Sequence, residues 1–175
     1  MVYYNTVNDI QFDDGVINEP VTLVEAKNFC KIDIGTDDDL LTSLIIAARQ
    51  ICEAYTGVGF VSHSAVANLS IKNDAMYLPY GPTGSINQIT NKDGDVMVLD
   101  IDYEVGGNAF KWIRLLSTYM TSEITVDYST GYEELPDVLK TAILNQVFFM
   151  YDNRAQGIDG IGPIAKMILN PYKRV

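Results

Sequence analysis

The spacing of apolar residues along the chain changes three times. Residues 1–19, MVYYNTVNDIQFDDGVINE, hold no sustained period and predict an extended arm with room for a short strand. A helical period begins at Thr22. In TLVEAKNFC, Thr22 stands three places before Glu25, the spacing at which each side chain satisfies a free backbone N–H of the other at the start of a helix. Leu40, Leu41, Leu44, Ile45, Ala48, Ile51, Cys52 and Tyr55 then recur on one broad face. They predict a long second helix from near Asp37 to about Tyr55, with Gly57 as its stop.

From Phe60 to Tyr132 the period falls to two. MVLDIDYEV predicts a strand with Met97, Leu99, Ile101, Tyr103 and Val105 on one side and Val98, Asp100, Asp102 and Glu104 on the other. EITVDY repeats the alternation with Ile124, Val126 and Tyr128, and Asp93-Gly94 is a hairpin signal between such runs. The helical period returns after YEELPDVL. Pro136 in the first turn and Val138, Leu139, Ala142, Ile143, Val147, Met150 and Tyr151 predict a third helix ending near Ala155. QGIDGIGP reads as a loop, because its glycines lack the spacing and strand context of a phosphate cradle. A short helix from about Pro163 to Leu169 precedes the tail NPYKRV. The expected fold class is α+β: mainly an α-helical bundle core (residues 20–59 and 133–175), a small antiparallel β-sheet region inserted at residues 60–132, and extended N- and C-terminal segments, the first being the arm at 1–19.

Charge narrows the partners. The 175 residues hold 12 Lys+Arg against 23 Asp+Glu, a formal charge of -11, which opposes any hold on a phosphate backbone. The balance is uneven: residues 1–40 carry nine acids against Lys27 and Lys31, whereas the last twelve residues carry Lys166, Lys173 and Arg174 and no acid. Cys30 and Cys52 lack metal-site spacing and read as buried free thiols of a reducing compartment. The opening stretch has no secretory-signal pattern and no run approaches the roughly 20 apolar residues of a membrane span, so the chain reads as soluble, unexported and without membrane contact.

Three clusters invite a chemical reading. In DIGTDDDLLTSL the aspartates at 37–39 miss the calcium-loop template, which needs a central glycine and a closing glutamate; they read instead as the cap and first turn of the second helix. Asp100, Asp102 and Glu104, two apart on one strand face, would stand roughly 6.6 Å apart, a spacing a carboxylate-dependent hydrolase could use, but three acids on a polar face read as solvated. His63 is the sole histidine, in FVSHSAV, with no nucleophile elbow, and reads as an edge or surface residue. Trp112 reads as a sheet or interface anchor. No catalytic, cofactor or metal constellation emerges.

The order of motifs resembles the head-tail connector (adaptor) proteins of tailed bacteriophages and prophages. The carriers are VTLVEAKNFCKID with Leu23, Ala26 and Lys27; DDDLLTSLIIAARQICEAYTG with Ala47, Ala48, Arg49, Glu53, Tyr55, Thr56 and Gly57; LPYGP, INQI, KDG and ITVDYSTGY; then LPDVLKTAILNQVFFMYDNR and PYKR with Ala142, Tyr151, Arg154, Pro171 and Tyr172. The resemblance implies a non-enzymatic virion part, made in the host cytoplasm and placed in the neck. It implies a ring of self-copies, twelve in number, on the portal protein. The ring joins the DNA-filled capsid to a stopper or tail-completion protein, and genomic DNA passes its lumen without specific binding. A C-terminal grip on the portal points to Tyr172, Lys173 and Arg174. The nearest alternatives are a stopper or tail-completion protein, and, remotely, a small hydrolase using Asp100, Asp102 or Glu104.

Overall fold

A computed structural model of the chain describes residues 5–13, 18–72, 75–116, 121–154 and 160–174, with the backbone alone at 121 and 122. The described elements are β1 (Thr6–Phe12), α1 (Leu23–Cys30), α2 (Asp38–Thr56), β2 (His63–Lys72), β3 (Met76–Tyr77), β4 (Thr83–Asn91), β5 (Tyr103–Gly106), β6 (Trp112–Leu115), β7 (Thr121–Thr130), α3 (Asp137–Asp152) and α4 (Pro163–Leu169), followed by a 3-10 turn, Asn170–Tyr172. They form two compact units. Asn18–Val61 and Tyr132–Val175 make a helical one; Met1–Ile17 and Ser62–Gly131 make a β one.

In the helical unit the sequence pattern acts as its periodicity demands. Leu41, Ile45, Ala48 and Cys52 of α2 and Leu139, Ala142, Ile143 and Val147 of α3 are buried at helical spacing. Each fully buried leucine or isoleucine removes enough apolar surface to contribute about 1.5–3 kcal/mol. Thr22 and Glu25 form the capping box on α1: the Glu25 N–H donates to Thr22 Oγ1 (3.2 Å) and the Thr22 N–H to Glu25 Oε2 (2.7 Å). These bonds hold the Glu25 carboxyl below its ordinary pKa. Gly57 ends α2 in the left-handed region (φ 68°), where a glycine meets no Cβ penalty, and donates its N–H to Glu53 O. α3 ends at Asp152; its expected end near Ala155 lies outside the described residues.

The β unit corrects the expected bundle core. It holds two antiparallel sheets, of order β1-β2-β7-β4 and β3-β6-β5. Strand makes up 31% of the fold against 35% helix, so the class is α+β with a β part as substantial as the helical part. The physical reason is a hydrophobic cluster of its own. Ala65, Ala67, Leu69 and Ile71 alternate inward along β2, and Ile124, Val126 and Tyr128 do so along β7, as the period of two in EITVDY predicts. Met76, Ile113 and Leu115 of the smaller sheet join the same cluster.

The short strand that the arm left room for is present, and two further local expectations change. Thr6–Phe12 is an edge strand paired antiparallel with β2, from Thr6 opposite Ser70 to Phe12 opposite Ala65. Only Ile10 of the strand is partly buried, against the β cluster, so it leaves no alternation to read. MVLDIDYEV is not one strand. Only Tyr103–Gly106 is, because the chain folds into a tight turn before it: the N–H groups of Ile101 and Asp102 both donate to Val98 O, and Asp100 takes a positive φ of 65°. His63 opens β2, an interior strand between β1 and β7, rather than an edge; its ring lies 4.5 Å from that of Phe12.

The Asp93-Gly94 hairpin signal holds. Gly94 (φ 88°) donates its N–H to Asn91 O, and the Asn91 N–H donates to Asp95 O at 2.9 Å. Gly106, opposite Trp112 in the register, is required for a different reason. A Cβ there would lie 2.0 Å from Trp112 Cζ2, so the indole occupies the space a side chain needs. Gly106→Ala is expected to destabilise the protein by about 1–3 kcal/mol through overpacking, read as a lower urea midpoint at unchanged slope. An unchanged midpoint would mean that Trp112 swings aside without cost.

Candidate functional site

The residues singled out for chemistry do not come together. Glu104 is ion-paired with Arg114 across the β5–β6 ladder. Asp102 Oδ2 accepts the Val98 N–H at 2.7 Å and holds the turn, while Asp100 sits at its left-handed position. The premise of a shared strand face therefore fails: the Asp102 carboxylate serves the turn and that of Glu104 the ladder. Tyr103, beside them, has its phenol pushed up by burial and by the charges of Asp100 and Asp102. Among the described residues no group of three His, Cys, Asp or Glu could hold a metal, and no helix is long and apolar enough to cross a membrane.

The aspartate triplet is structural, but not as a side-chain cap. Asp37 occupies the N-cap position of α2 without bonding a helix N–H; its Oδ2 accepts the Tyr151 hydroxyl of α3 at 2.5 Å. Asp38 Oδ1 accepts from Lys27 Nζ of α1 at 2.6 Å. Asp38 and Asp39 lie in the first turn of α2, where the helix dipole favours their charge. The triplet thus ties the start of α2 to its two neighbours.

The most demanding arrangement in the helical unit is a buried charge network. Arg49, 3% exposed, points its Nε at both oxygens of Glu19 (3.1 and 2.9 Å) and its Nη1 at Glu53 Oε2 (2.6 Å). Glu53 Oε1 accepts the Phe60 N–H at 2.7 Å. Burial raises the Glu53 pKa, opposed by the Arg49 charge and the Phe60 bond. Burial opposes the Arg49 charge, but the two carboxylates more than offset it and hold its pKa above the ordinary value. Cys52 beside them is pushed up to about 12 by burial and the Glu53 charge, so it is an inert thiol, while Cys30 is half-buried rather than buried. The Arg49/Glu53 spacing of four was the available signal for this pair; nothing local marks Glu19.

The C-terminal residues are held against the end of α2. Tyr55 donates its hydroxyl to Asn170 Oδ1 (2.6 Å), and the Arg174 N–H donates to Thr56 O (2.7 Å). Lys173 Nζ lies 5.0 Å from the centre of the Tyr55 ring. Burial, then the neighbouring Tyr172, raises the Tyr132 pKa against the lowering effect of Arg174. The tail is therefore a seated segment whose Lys173 and Arg174 side chains are exposed. Gln146, fully buried, seats α4 in the same way: it donates to Gly160 O (2.9 Å) and accepts the Gly162 N–H (2.7 Å).

What this geometry offers is a scaffold with fixed surfaces, and comparison with known proteins agrees. Residues 20–93, from the start of α1 through β4, match the family model described as phage gp6-like head-tail connector protein. The match covers less than half of the chain and gives a resemblance of these residues to the head-tail connector family. A chain in the neck of an empty gene transfer agent (GTA) particle, computed with C6 symmetry, is similar over 95% of this chain and 96% of its own length, with a TM-score of 0.73 and 18% identity. A chain of the native GTA virion gives 0.70 and 16%, covering 95% of each. One in the native GTA neck, computed with C12 symmetry, gives 0.60 and 17%, covering 92% of this chain and 96% of that one. At these identities the likeness is one of fold. No curated protein matches this chain.

Removing Arg49 leaves the Glu53 carboxylate buried beside an unmatched space. Arg49→Met is expected to cost about 3–5 kcal/mol near neutral pH. The sign of the pH dependence follows from the raised Glu53 pKa: the folded state binds this proton more tightly than the unfolded chain, so stability from this group falls as pH rises through the folded pKa. Without Arg49 that pKa rises further. The gap in melting temperature between wild type and Arg49→Met should therefore narrow between about pH 7 and about pH 5. A constant gap would mean that Glu53 is not the group left stranded.

Proposed function

We propose that the protein is a head-tail connector that assembles as a ring on the portal and joins the DNA-filled capsid to the neck and tail. The observation that carries this is the family match over residues 20–93, combined with a neck-protein fold over 95% of the chain. The C6 and C12 symmetries of the similar necks support a ring, and C12 supports twelve copies. The formal charge of -11 per copy suits a wall that DNA slides past, since acidic groups repel phosphates and release no counterions on contact. The place of action is the virion neck, reached by assembly in the host cytoplasm. No enzymatic step is part of this role.

In this reading the tail grips the portal through Tyr172, Lys173 and Arg174. Its support is the basic charge at the end of an acidic chain, together with the backbone bond to Thr56, which spares the tail part of the ordering cost of binding. Mixing the purified connector with its cognate portal and imaging the product should show added ring density on the portal. Density absent from the portal but present with a stopper or tail-completion protein would move the chain to that other place in the neck.

Deleting the tail would also break its contacts with Tyr55 and Thr56, so side-chain changes are the cleaner test. Lys173→Ala with Arg174→Ala keeps the Arg174 backbone bond and is expected to weaken portal binding at least about tenfold, roughly the effect of losing one or two charge-assisted contacts. The melting temperature should stay within a few degrees of wild type. Undiminished portal binding would remove the tail from the interface.

A further inference from the structure

The turn before β5 exposes more apolar surface than a turn needs. Val96, Val98, Leu99 and Ile101 are 59%, 51%, 50% and 69% exposed, within six consecutive residues that bury only Met97 among their apolar members. Exposed apolar runs of this kind mark contact sites when the backbone beneath them is ordered. Here it is ordered. Asp102 Oδ2 accepts the Val98 N–H, the Asp102 N–H donates to Val98 O (2.9 Å), the Asp100 N–H donates to Tyr103 O (2.8 Å), and the Met97 N–H donates to Ile89 O (2.9 Å). The apolar tip is flanked by the exposed acids Asp93, Asp95 and Asp100.

A patch of opposite character lies on the helical unit. Ile164 and Met167 of α4, three residues apart and so on one face, are 55% and 68% exposed. Lys166 is exposed beside them, and described residues 160–174 contain no acid. An acid-rimmed apolar turn and a base-flanked apolar helix face are complementary in both polarity and charge. On a chain of net charge -11, copies repel one another wherever acid meets acid, and this pairing is one that avoids it.

We propose that these two patches form the contact between neighbouring copies, the turn at 96–101 of one copy receiving the Ile164/Met167 face of the next. The inference rests on the ring reading above and says which surfaces close it. Two different patches meeting head to tail are the kind of contact a ring needs, closing when the rotation between copies divides a full turn, whereas a two-fold dimer needs one patch to meet itself. The tail beyond Asn170 is left for the portal.

The test uses the full chain with Cys30→Ser, which removes the half-buried native thiol. Leu99→Cys and Met167→Cys are made separately, mixed in equal amounts, assembled with and without portal, and treated with a short bismaleimide. A covalent dimer is expected in the mixture and from neither variant alone. In parallel, Ile101→Ser and Met167→Ser should each lower the ring population about tenfold at fixed concentration, the effect of losing one well-buried apolar side chain, with unchanged far-UV CD. Lys166→Glu should also weaken the ring, and Asp93→Lys in the same chain should restore it. Rings of wild-type protein without cross-linked dimer in the mixture, or rings undiminished by Ile101→Ser, would overturn the proposed contact and leave the ring reading standing. Wild-type protein that forms no ring, alone or on its portal, would take down both.

Discussion

The helical unit is made of two stretches of chain separated by seventy residues of β structure, and the Arg49 guanidinium sets where the first of them ends. Its bonds to Glu19 and Glu53, with Glu53 passing the constraint on to the Phe60 N–H, join the approach to α1, the last turns of α2 and the segment that leaves for β2. Burying these groups is costly, and a hydrophobic trio of similar volume could be as stable. What the charges add is direction: a fork of N–H donors and two carboxylates accept few relative placements of the three segments, whereas apolar contacts accept many.

The same α2 terminus then organises the C-terminus. Tyr55 and Thr56, adjacent to the network, hold Asn170 and Arg174. α4, at seven residues, is too short to be stable on its own helix propensity. Gln146 of α3 supplies what propensity cannot, by bonding both Gly160 and Gly162 at its entrance. Gly162 also lies so close to Phe149 that a Cβ would stand 2.8 Å from the ring, so α4 begins where it does because nothing larger fits.

Legibility follows the range of the interactions. α2, α3 and α4 are visible in the sequence because burial of one helix face writes a period into consecutive residues, and the Thr22/Glu25 box because it is local. β7 is visible for the same reason in strand form. β1 is legible only as room for a short strand, because an edge strand with only Ile10 partly buried writes no period and its partner β2 begins fifty residues later. The apparent strand from Met97 to Val105 shows the converse error. Apolar residues alternate there, but Leu99 and Ile101 are exposed, so their alternation records something other than burial in a sheet. The size of the β part was illegible too, since its core depends on β2 pairing with β7 across about fifty residues, a contact no local window contains.

Most of the residues that carry the resemblance are buried or bonded within the helical unit, Arg154 and Pro171 being exposed. Arg49 and Glu53 form the charge network, Tyr55 and Thr56 seat the tail, Gly57 ends α2, Ala48 and Ala142 lie in the α2 and α3 faces, and Tyr151 bonds Asp37. They describe a scaffold and leave its contacts unstated, which is why the sequence could show a family resemblance without showing an interface. The contacts have to be carried by what the scaffold holds outward and in place. Two features meet that description physically: the exposed apolar turn fixed by Asp102, and the basic C-terminal segment fixed by Gln146, Tyr55 and Thr56. Each is ordered before any partner arrives, so a binding partner need not supply that ordering free energy. For any association of copies that each carry a charge of -11, preorganised patches of opposite sign are the arrangement that offsets like-charge repulsion without a large buried area.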